Sequence, residues 1–533
     1  MHYLELLIVL LAVVTALAEV AFRVKLPYPI LLMLVGVALG LTPGLPRVPL
    51  QPDLVFIVFL PPLLYAAAGN TSWPDFKAAR RPIGLLALGC VLFTTLLVAT
   101  AAHGSIPGFD WPSAFLVGAI VSPPDAVAAC SITHGLGLPR RVITIIEGES
   151  LVNDATGLIA YRYAVAAVAT GHFVLWQASL QLVWTVTAGV ALGLVVGWVL
   201  YRVHHLTDNP VIGSSLTFLT PYLAYVLAEE AHVSSVLAVV TVGLFMGRQD
   251  IFGPQARLRT DAVWSSAVFL LNGTIFILIG LEIPAIIEGI ASSEIWAAVG
   301  HGLLISAAVV LARLLWWYPS AYAPHWLSHN VRQEEPIPPL ALVSVVAWTG
   351  MRGVVSLAAA LALPLTLASG QPFPHRDLIL LITFVVIFCT LVVQGLSLEP
   401  LIRWLGIRPD NKAGREEVHV RVRLAMRILV YLNSPATANW VPADALLRMK
   451  LSYDLRLKLL RNWTEALRVS RHHDLHEKPF TQSQQLQEEL IRFERALLKE
   501  FEQEEKTSDE LLRKLENELD LEEARLELDK GLF

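Results

Sequence analysis

The stretch of sequence that decides the fold is PSAFLVGAIVSPPDAVAACSIT, residues 112–133. It is long and apolar enough to cross a bilayer, which takes about 20 mainly apolar residues, yet two prolines and an aspartate stand in its middle. Pro123 and Pro124 lack amide hydrogens and clash with the carbonyls one turn earlier, so those carbonyls lose their helical partners. Such backbone survives at membrane depth only where it is buried in protein or faces water. The stretch therefore predicts a broken helix beside a cavity, with Asp125 near the positive start of its second half.

Apolar sequence extends over most of the chain. The protein has 533 residues, of which 55% are hydrophobic and 16% are charged, against about 25% charged in ordinary soluble domains. Residues 411–533 hold 21 of the 40 Lys and Arg residues and 23 of the 45 Asp and Glu residues. Residues 1–410 are therefore too apolar for a soluble domain, and too apolar for a disordered segment.

We expect 13 membrane-spanning helices in residues 1–410 and a charged helical domain in residues 411–533. The predicted fold class is an all-α polytopic membrane protein with a helical C-terminal domain. The predicted spans, with ends accurate to a few residues, are 3–22, 28–45, 54–70, 82–102, 112–133, 142–169, 174–202, 211–229, 233–248, 262–284, 293–319, 338–366 and 378–404.

The basic residues between the spans indicate the orientation, because cytoplasmic loops carry an excess of Lys and Arg. If the N-terminus lies outside, thirteen basic residues fall in inner loops and two in outer loops. This bias predicts that residues 411–533 are cytoplasmic. The net charge of −5 gives no electrostatic reason to expect nucleic acid as a partner. The inner residues are Arg23, Lys25, Lys77, Arg80, Arg81, Arg140, Arg141, Arg202, Arg248, Arg257, Arg259, Arg313 and Arg332, and the outer residues are Arg47 and Arg376.

A second polar cluster within a predicted span is EGESLVND, residues 147–154. Asp154 lies about 20 Å along a helix from the inner surface, which is past the middle of the membrane if the helix is upright and close to the middle if the helix is tilted or starts within the interface. Ser150, four residues earlier, shares its face, and Glu149 and Asn153 share a neighbouring face. Ionisable groups at this depth are rare and usually functional.

A third polar cluster is WTGMRGVVS, residues 348–356. The glycines on either side of Arg352 permit a close backbone approach or a second break. A buried arginine needs a carboxylate partner, and its own predicted span contains none. We expect the partner to be Glu149, with Glu147 as the second candidate.

The carboxylate of Asp154 indicates ion exchange. In a cavity near the middle of the membrane it binds either a proton or a small cation, but not both together. If the site changes sides only when it is neutralised, proton and cation must be exchanged. One carboxylate beside the neutral Asn153 predicts one proton per monovalent cation and hence electroneutral exchange, with Asp125 as a fixed capping group.

Five motifs in this order resemble the bacterial sodium/proton antiporters of the monovalent cation:proton antiporter-1 family, over about residues 1–410. The resemblance implies 13 spans, a homodimer in the bacterial plasma membrane, and two inverted repeats whose broken helices cross near the site. It implies transported ions and no cofactor. The motifs are FLPPLLY at 59–65, SPPDAVA at 122–128, GES followed by ND within 148–154, HVSSVLA at 232–238 and GMRG at 350–353.

By position, the resemblance implies that Asp154 binds the ion and the proton. It also implies that Asn153 is the neutral partner of Asp154 and that Ser150 is a cation ligand. It also implies a buried ion pair between Glu149 and Arg352. The broken helices would be those that contain Pro123 with Pro124 and Gly350 with Gly353.

The sequence departs from the family at the first break, where the family has Thr-Asp-Pro. Asp125 matches the aspartate, but Pro124 stands where threonine is usual and Ala126 where proline is usual. Ser122 is the candidate replacement for the missing hydroxyl. The expected Na⁺ ligands are thus Asp154, Asp125 and Ser150.

The leading interpretation is therefore an antiporter that exports Na⁺, with Li⁺ or K⁺ as other candidates, against protons. A K⁺/H⁺ antiporter with the same residues is the first alternative. A transporter-like sensor that signals through residues 411–533 is the second, and the retention of Asp154, Asn153 and Arg352 argues against it. An enzyme is not expected. An intramembrane hydrolase would need an activated nucleophile, and the candidate nucleophile Ser150 has no histidine in its own span.

Overall fold

The computed structural model of the protein is helical throughout most of the residues that it describes. Those residues form two compact units, Met1–Pro409 and Asp410–Phe533. The β-type pairing among them is an isolated bridge between Thr366 and Pro372. The described residues are 2–42, 55–133, 136, 138–170, 175–207, 209–249, 254–327, 329, 337–367, 370–407, 412–434, 441–469, 487, 489–497, 515, 519–524 and 526.

The helices of the described residues are numbered here in chain order. Three of them, α3, α5 and α17, each contain a π-helical turn. The helices are α1 (His2–Val24), α2 (Tyr28–Gly40), α3 (Val55–Asn70), α4 (Trp73–Ala78), α5 (Arg80–Ser105), α6 (Trp111–Val121), α7 (Ala126–Thr133), α8 (Arg140–Thr170), α9 (Leu175–His204), α10 (Pro210–Glu230), α11 (Ser235–Met246), α12 (Pro254–Leu281), α13 (Ile283–Glu288), α14 (Ile295–Leu327), α15 (Leu340–Trp348), α16 (Val354–Leu361), α17 (Arg376–Trp404), α18 (Lys412–Leu432) and α19 (Ala443–Val469).

Six helical segments among the described residues are long and apolar enough to cross a membrane. Several shorter apolar helices, such as α2, α3, α6 and α11, accompany them. The chain is thus a multi-pass membrane protein, while the number of 13 spans stays a prediction. The six segments are Arg80–Ser105, Leu180–His204, Val211–Glu230, Arg259–Glu288, Ile295–Trp326 and Arg376–Trp404.

The charge count for the orientation needs one correction. Arg313 was expected in an inner loop, but it lies within the 33-residue helix α14, fully buried. Arg47 and Arg332, two further residues of that count, lie outside the described residues. The predicted orientation itself stays a prediction.

Packing separates the helices of the first unit into two bundles. In the first bundle, α12 packs along α2, and α11 packs against α3, α9 and α10. In the second, α6 packs against α5 and α8, and α14 packs against α5, α15 and α17. Between the bundles, α8 contacts α3 and α11, and α16 contacts α12. The seam between the bundles therefore runs along α8 and α16.

Local chemistry explains where the first broken helix begins and ends. The side chain of Asp110 caps α6 by accepting a hydrogen bond from the Ser113 amide at 3.0 Å, as helix N-termini require. The helix ends at Val121, just before Pro123 and Pro124, and α7 begins at Ala126.

Glycines bring α2 and α12 of the first bundle into close contact. A Cβ atom added at Gly36 would overlap the carbonyl oxygen of Ile277, and one added at Gly280 would overlap that of Met33. The two helices therefore pack backbone to backbone, which makes this pair a stiff part of the bundle.

In the second unit, α18 packs against α19. Arg495 pairs with Asp520 at 2.5 Å and with Glu523 at 2.5 Å, which links two described segments further along the chain. Most of residues 470–533 lie outside the described residues.

Candidate functional site

The two broken helices meet at Asp125. Its amide donates a hydrogen bond to the carbonyl oxygen of Met351 at 2.7 Å, so the backbone of one break is bonded to that of the other. Its side-chain Oδ1 accepts from the Val127 amide at 2.8 Å. The amides of Ala128 and Val354 also lie close to this carboxylate. One carboxylate thus lies at the start of both α7 and α16, where the positive ends of helices favour it.

Gly353 makes room for that carboxylate. A Cβ atom built at Gly353 would overlap the Asp125 side chain. Its φ of −152° lies outside the left-handed region that favours glycine. Glycine is therefore required here for close approach, the first of the two reasons that the sequence suggested.

Arg352 binds carbonyls at the break, where the chain leaves the helix after Val121. Its guanidinium donates to the carbonyl oxygen of Val121 at 2.9 Å, to that of Ser122 at 3.2 Å, and to that of Gly350. Its backbone amide donates to Thr390 Oγ1 at 3.0 Å. A buried carbonyl without a partner is costly, so Arg352 stabilises the break between α6 and α7.

The expected ion pair between Glu149 and Arg352 is wrong. Glu149 pairs with Arg313 instead, through Nη1 to Oε1 at 2.5 Å and Nη2 to Oε2 at 2.7 Å. Both side chains are almost completely buried, with 1% and 2% exposed. Arg313 also donates to the Val346 carbonyl from Nε and Nη2. The physical reason is geometric, because α14 brings its arginine to Glu149 while Arg352 is engaged by carbonyls.

Asp154 lies beside the two breaks, on the wall of a cavity of about 200 Å³. Its side chain is 6% exposed. Asp125 and Glu147 line the same cavity, as does the expected cation ligand Ser150. The remaining polar lining residues are Asn70, Asn272 and Ser356.

The charge in this cavity has one sign. Asp125, Glu147 and Asp154 line it, and the described lining residues include neither lysine nor arginine. A concave surface with carboxylates of one sign concentrates cations. The arrangement can therefore attract and hold a cation or a proton at Asp154.

Asn153 and Ser122 do not belong to the lining of the cavity. The amide nitrogen of Asn153 donates to the Pro124 carbonyl at 2.9 Å, which satisfies another carbonyl of the break. The hydroxyl of Ser122 donates to the Ala119 carbonyl at 3.2 Å. Both side chains hold the broken backbone in this structure.

The cavity extends from the breaks in one direction along α8. From Asp154 its wall follows Leu151 and Ser150 back to Glu147, towards the Arg140 end of the helix. Of the described residues of α8, none beyond Asp154 lines it. The part of α8 that lines the cavity therefore runs from Asp154 towards the Arg140 end of the helix.

An ion pair joins the two bundles near the other end of α8. Arg162 Nη2 lies 3.2 Å from Glu229 Oε1, which also accepts a hydrogen bond from Ser235 Oγ at 2.7 Å. These residues connect α8 with α10 and α11. The pair is partly exposed, so its contribution is small, of order 1 kcal/mol or less.

The sequence reasoning missed three residues near the site, Arg313, Asn272 and Ser356. Arg313 is the only Lys, Arg, Asp or Glu within α14, and this isolation in an apolar run was the signal. Asn272 stands in the apolar run FLLNGTIFILIG, but a search for ionisable groups passes over a neutral amide. Ser356 ends the third polar cluster of the sequence, but only Arg352 and the two glycines of that cluster were given a role.

The chain matches the family model for the transmembrane sodium/hydrogen exchanger over residues 8–404. It belongs to the sodium/hydrogen exchanger family. The resemblance to bacterial sodium/proton antiporters that the motifs suggested is thereby confirmed.

This exchanger is similar to bacterial relatives over most of its length. It is 32% identical over 464 residues to a protein of Mycobacterium tuberculosis that is named as a Na⁺/H⁺ exchanger. The aligned residues cover 86% of this chain and 84% of the relative. It is 32% identical over 413 residues to the sodium, potassium, lithium and rubidium/H⁺ antiporter of Bacillus pumilus, with coverages of 74% and 61%. Both relatives carry the names of transporters rather than enzymes.

The exchanger also has the fold of a solved antiporter. Its structure superimposes on the sodium proton antiporter MjNhaP1 of Methanocaldococcus jannaschii with a TM-score of 0.58 at 18% identity. The match covers 75% of this chain and 98% of the archaeal one. The similarity lies in the fold.

Proposed function

We propose that this exchanger exports Na⁺ against inward protons across the bacterial plasma membrane, with Asp154 as the shared binding site. The observation that carries the proposal is the position of Asp154. It is buried, yet it lines a cavity at the point where two broken helices meet. Ionisable groups at such positions are typical of ion pathways.

The cation would bind to oxygen atoms of Asp154, Ser150 and Asp125. All three residues line the cavity, and carboxylate and hydroxyl oxygens suit hard cations. Asp125 already accepts a hydrogen bond from the Val127 amide and lies close to two further amides, so it acts as a fixed negative group. Asp154 then remains as the group that exchanges a proton for the cation, with one charge moved each way and no net charge transfer.

The shape of the cavity supports alternating access. The cavity reaches Asp154 from the Arg140 end of α8, which is the cytoplasmic end in the predicted orientation. The Arg162–Glu229 pair bridges the bundles towards the opposite end. We infer that this conformation is open to the cytoplasm and closed to the outside.

Several further features of the proposal come from the family resemblance. They are the 13 spans, the two inverted repeats that contain the broken helices, the homodimer, and the outside N-terminus. Transported ions, rather than a cofactor, are the ligands. Residues 411–533 are assigned to the cytoplasm, where we propose that they regulate the exchanger.

The test is proton flux in proteoliposomes that contain the purified protein. Asp154→Asn removes the exchangeable charge and keeps the size, so Na⁺-driven proton flux should fall to the level of empty vesicles. Thr156→Val is the matched control, because Thr156 is buried on the same helix and does not line the cavity. Preserved flux in Asp154→Asn would refute the central assignment, and flux that responds to voltage alone would refute electroneutrality.

K⁺/H⁺ exchange at the same residues is the alternative. The observation that favours it is the name of the Bacillus pumilus relative, which includes potassium, lithium and rubidium. A comparison of the proton flux driven by Na⁺, K⁺ and Li⁺ gradients decides between Na⁺/H⁺ exchange and K⁺/H⁺ exchange. A K⁺ response stronger than the Na⁺ response would replace the leading proposal.

A further inference from the structure

The cavity has a neutral polar group on the wall that belongs to the first bundle. Asn272 of α12 lines the cavity and is 4% exposed. Its side-chain oxygen Oδ1 has no hydrogen-bond partner among the described residues. A buried amide oxygen without a partner destabilises the fold by about 1–3 kcal/mol, so an unpaired oxygen in a polar cavity points to a ligand.

Tyr28 lies beside this amide. Its side chain is close enough to that of Asn272 to act on it electrostatically. The Tyr28 ring also packs on Phe269, one turn before Asn272, with 5.7 Å between the ring centroids. The close backbone contact of α2 with α12 holds both residues in place.

The opposite wall carries the carboxylates. Asp154 and Ser150 project from α8 of the second bundle, and Asn272 projects from α12 of the first. Ser356 Oγ, which is 1% exposed, also lines the cavity without a partner among the described residues. Oxygen atoms from both bundles thus surround one space that already has a negative charge.

We propose that Asn272 supplies a neutral oxygen ligand to the transported cation and sets the preference among alkali cations. The inference rests on the proposed function of Asp154 and extends it. A ligand held by a stiff helix pair across the cavity fixes the distance between the two walls of the site. A fixed distance favours one ionic radius, whereas a flexible set of ligands from one bundle adapts to several.

The experiment measures the cation concentration that gives half-maximal proton flux, for Na⁺, Li⁺ and K⁺, in proteoliposomes. Asn272→Leu, which keeps the size and removes the oxygen, should raise this concentration for the preferred cation about tenfold, as the loss of one hydrogen-bond-like contact to a charge implies. The half-maximal concentrations for the three cations should also become more similar to one another. Thr274→Val on the same helix is the control, because Thr274 is buried but does not line the cavity.

One further variant separates coordination from a structural role. Asn272→Asp keeps an oxygen and adds a charge, so it should lower the half-maximal concentration for the preferred cation at least threefold. A purely structural role would change thermal stability or maximal flux and leave these concentrations unchanged.

The outcomes are distinguishable from those for the proposed function. If the wild-type protein exchanges no alkali cation for protons, the proposed function fails. If the wild type is active and both Asn272 variants keep its half-maximal concentrations and cation order, the role of Asn272 is overturned. Should Asn272→Leu fail to fold, the unchanged concentrations of Asn272→Asp alone would overturn it.

Discussion

Glu149 and Arg313 are joined by two parallel hydrogen bonds, at 2.5 Å and 2.7 Å, although 164 residues separate them in the chain. The pair connects the helix that carries Asp154 to the longest helix of the second bundle. Bidentate geometry of this kind is the strongest arrangement of an arginine with a carboxylate. Because both side chains are buried, each needs the other to remain charged in the fold.

Removing one member of this pair should destabilise the protein strongly. We expect Arg313→Met to lower the free energy of unfolding by about 3–5 kcal/mol, because Glu149 is left as an unpaired buried charge. The double variant Glu149→Gln with Arg313→Met should recover much of the loss. Thermal unfolding of the purified protein in detergent measures both.

The control for this prediction is a surface pair. Arg403 lies 2.5 Å from Glu399, but both side chains are largely exposed. Arg403→Met should change the midpoint temperature little, as exposed pairs contribute about 0–1 kcal/mol. Equal effects of the two arginine substitutions would contradict the importance of the buried pair.

Arg352→Lys should impair both stability and exchange. Lysine keeps the positive charge, but its single ammonium cannot reach the carbonyls of Val121, Ser122 and Gly350 together. Each carbonyl left unpaired destabilises the fold by about 1–3 kcal/mol. If Arg352→Lys has the melting temperature and the proton flux of the wild type, the positive charge alone is enough for stability and exchange, and the prediction is wrong. The control is Arg23→Lys, at an exposed site.

Gly353→Ala should abolish exchange, because the new methyl group would overlap the carboxylate of Asp125 and push the two breaks apart. The matched control is Gly300→Ala in α14, where a Cβ atom meets nothing within 4 Å. That control should keep full flux and gain stability of about 1 kcal/mol, as glycine to alanine does inside a helix. Normal flux in Gly353→Ala would argue against the tight contact.

Labelling of Cys130 tests the direction of the cavity. Cys130 lines the cavity, and substituting the other two cysteines, Cys90 and Cys389, by alanine leaves it as the single thiol. A membrane-impermeant maleimide should label it several times faster in inside-out vesicles than in right-side-out vesicles. Faster labelling from the outer face would contradict the proposed orientation.

Features that depend on local chemistry were predictable from the sequence. Pro123 and Pro124 interrupt a helix through sterics within a single turn, and the structure has the interruption there. Gly353 lacks a side chain next to a polar site, which indicated a close approach. Asp154 was found because a carboxylate in an apolar segment is rare.

Features that depend on how helices pack were not predictable in the same way. Glu149 had Arg352 and Arg313 as potential partners, and only the position of α14 decides between them. The sequence pattern of an apolar helix does not specify which neighbour its faces meet, since lipid-facing and protein-facing residues are equally apolar. Asn272 escaped notice for a related reason, as its role follows from the cavity and not from its own neighbours.

The contact of Arg352 with Val121 and Ser122, together with the backbone bond from Asp125 to Met351, has a mechanical consequence. The two interrupted helices cannot separate without leaving several buried polar backbone groups without their present partners. If exchange proceeds as proposed, the movement that turns Asp154 towards the other aqueous phase would carry both of them together, and the seam that the Arg162–Glu229 pair spans is where the bundles would shift.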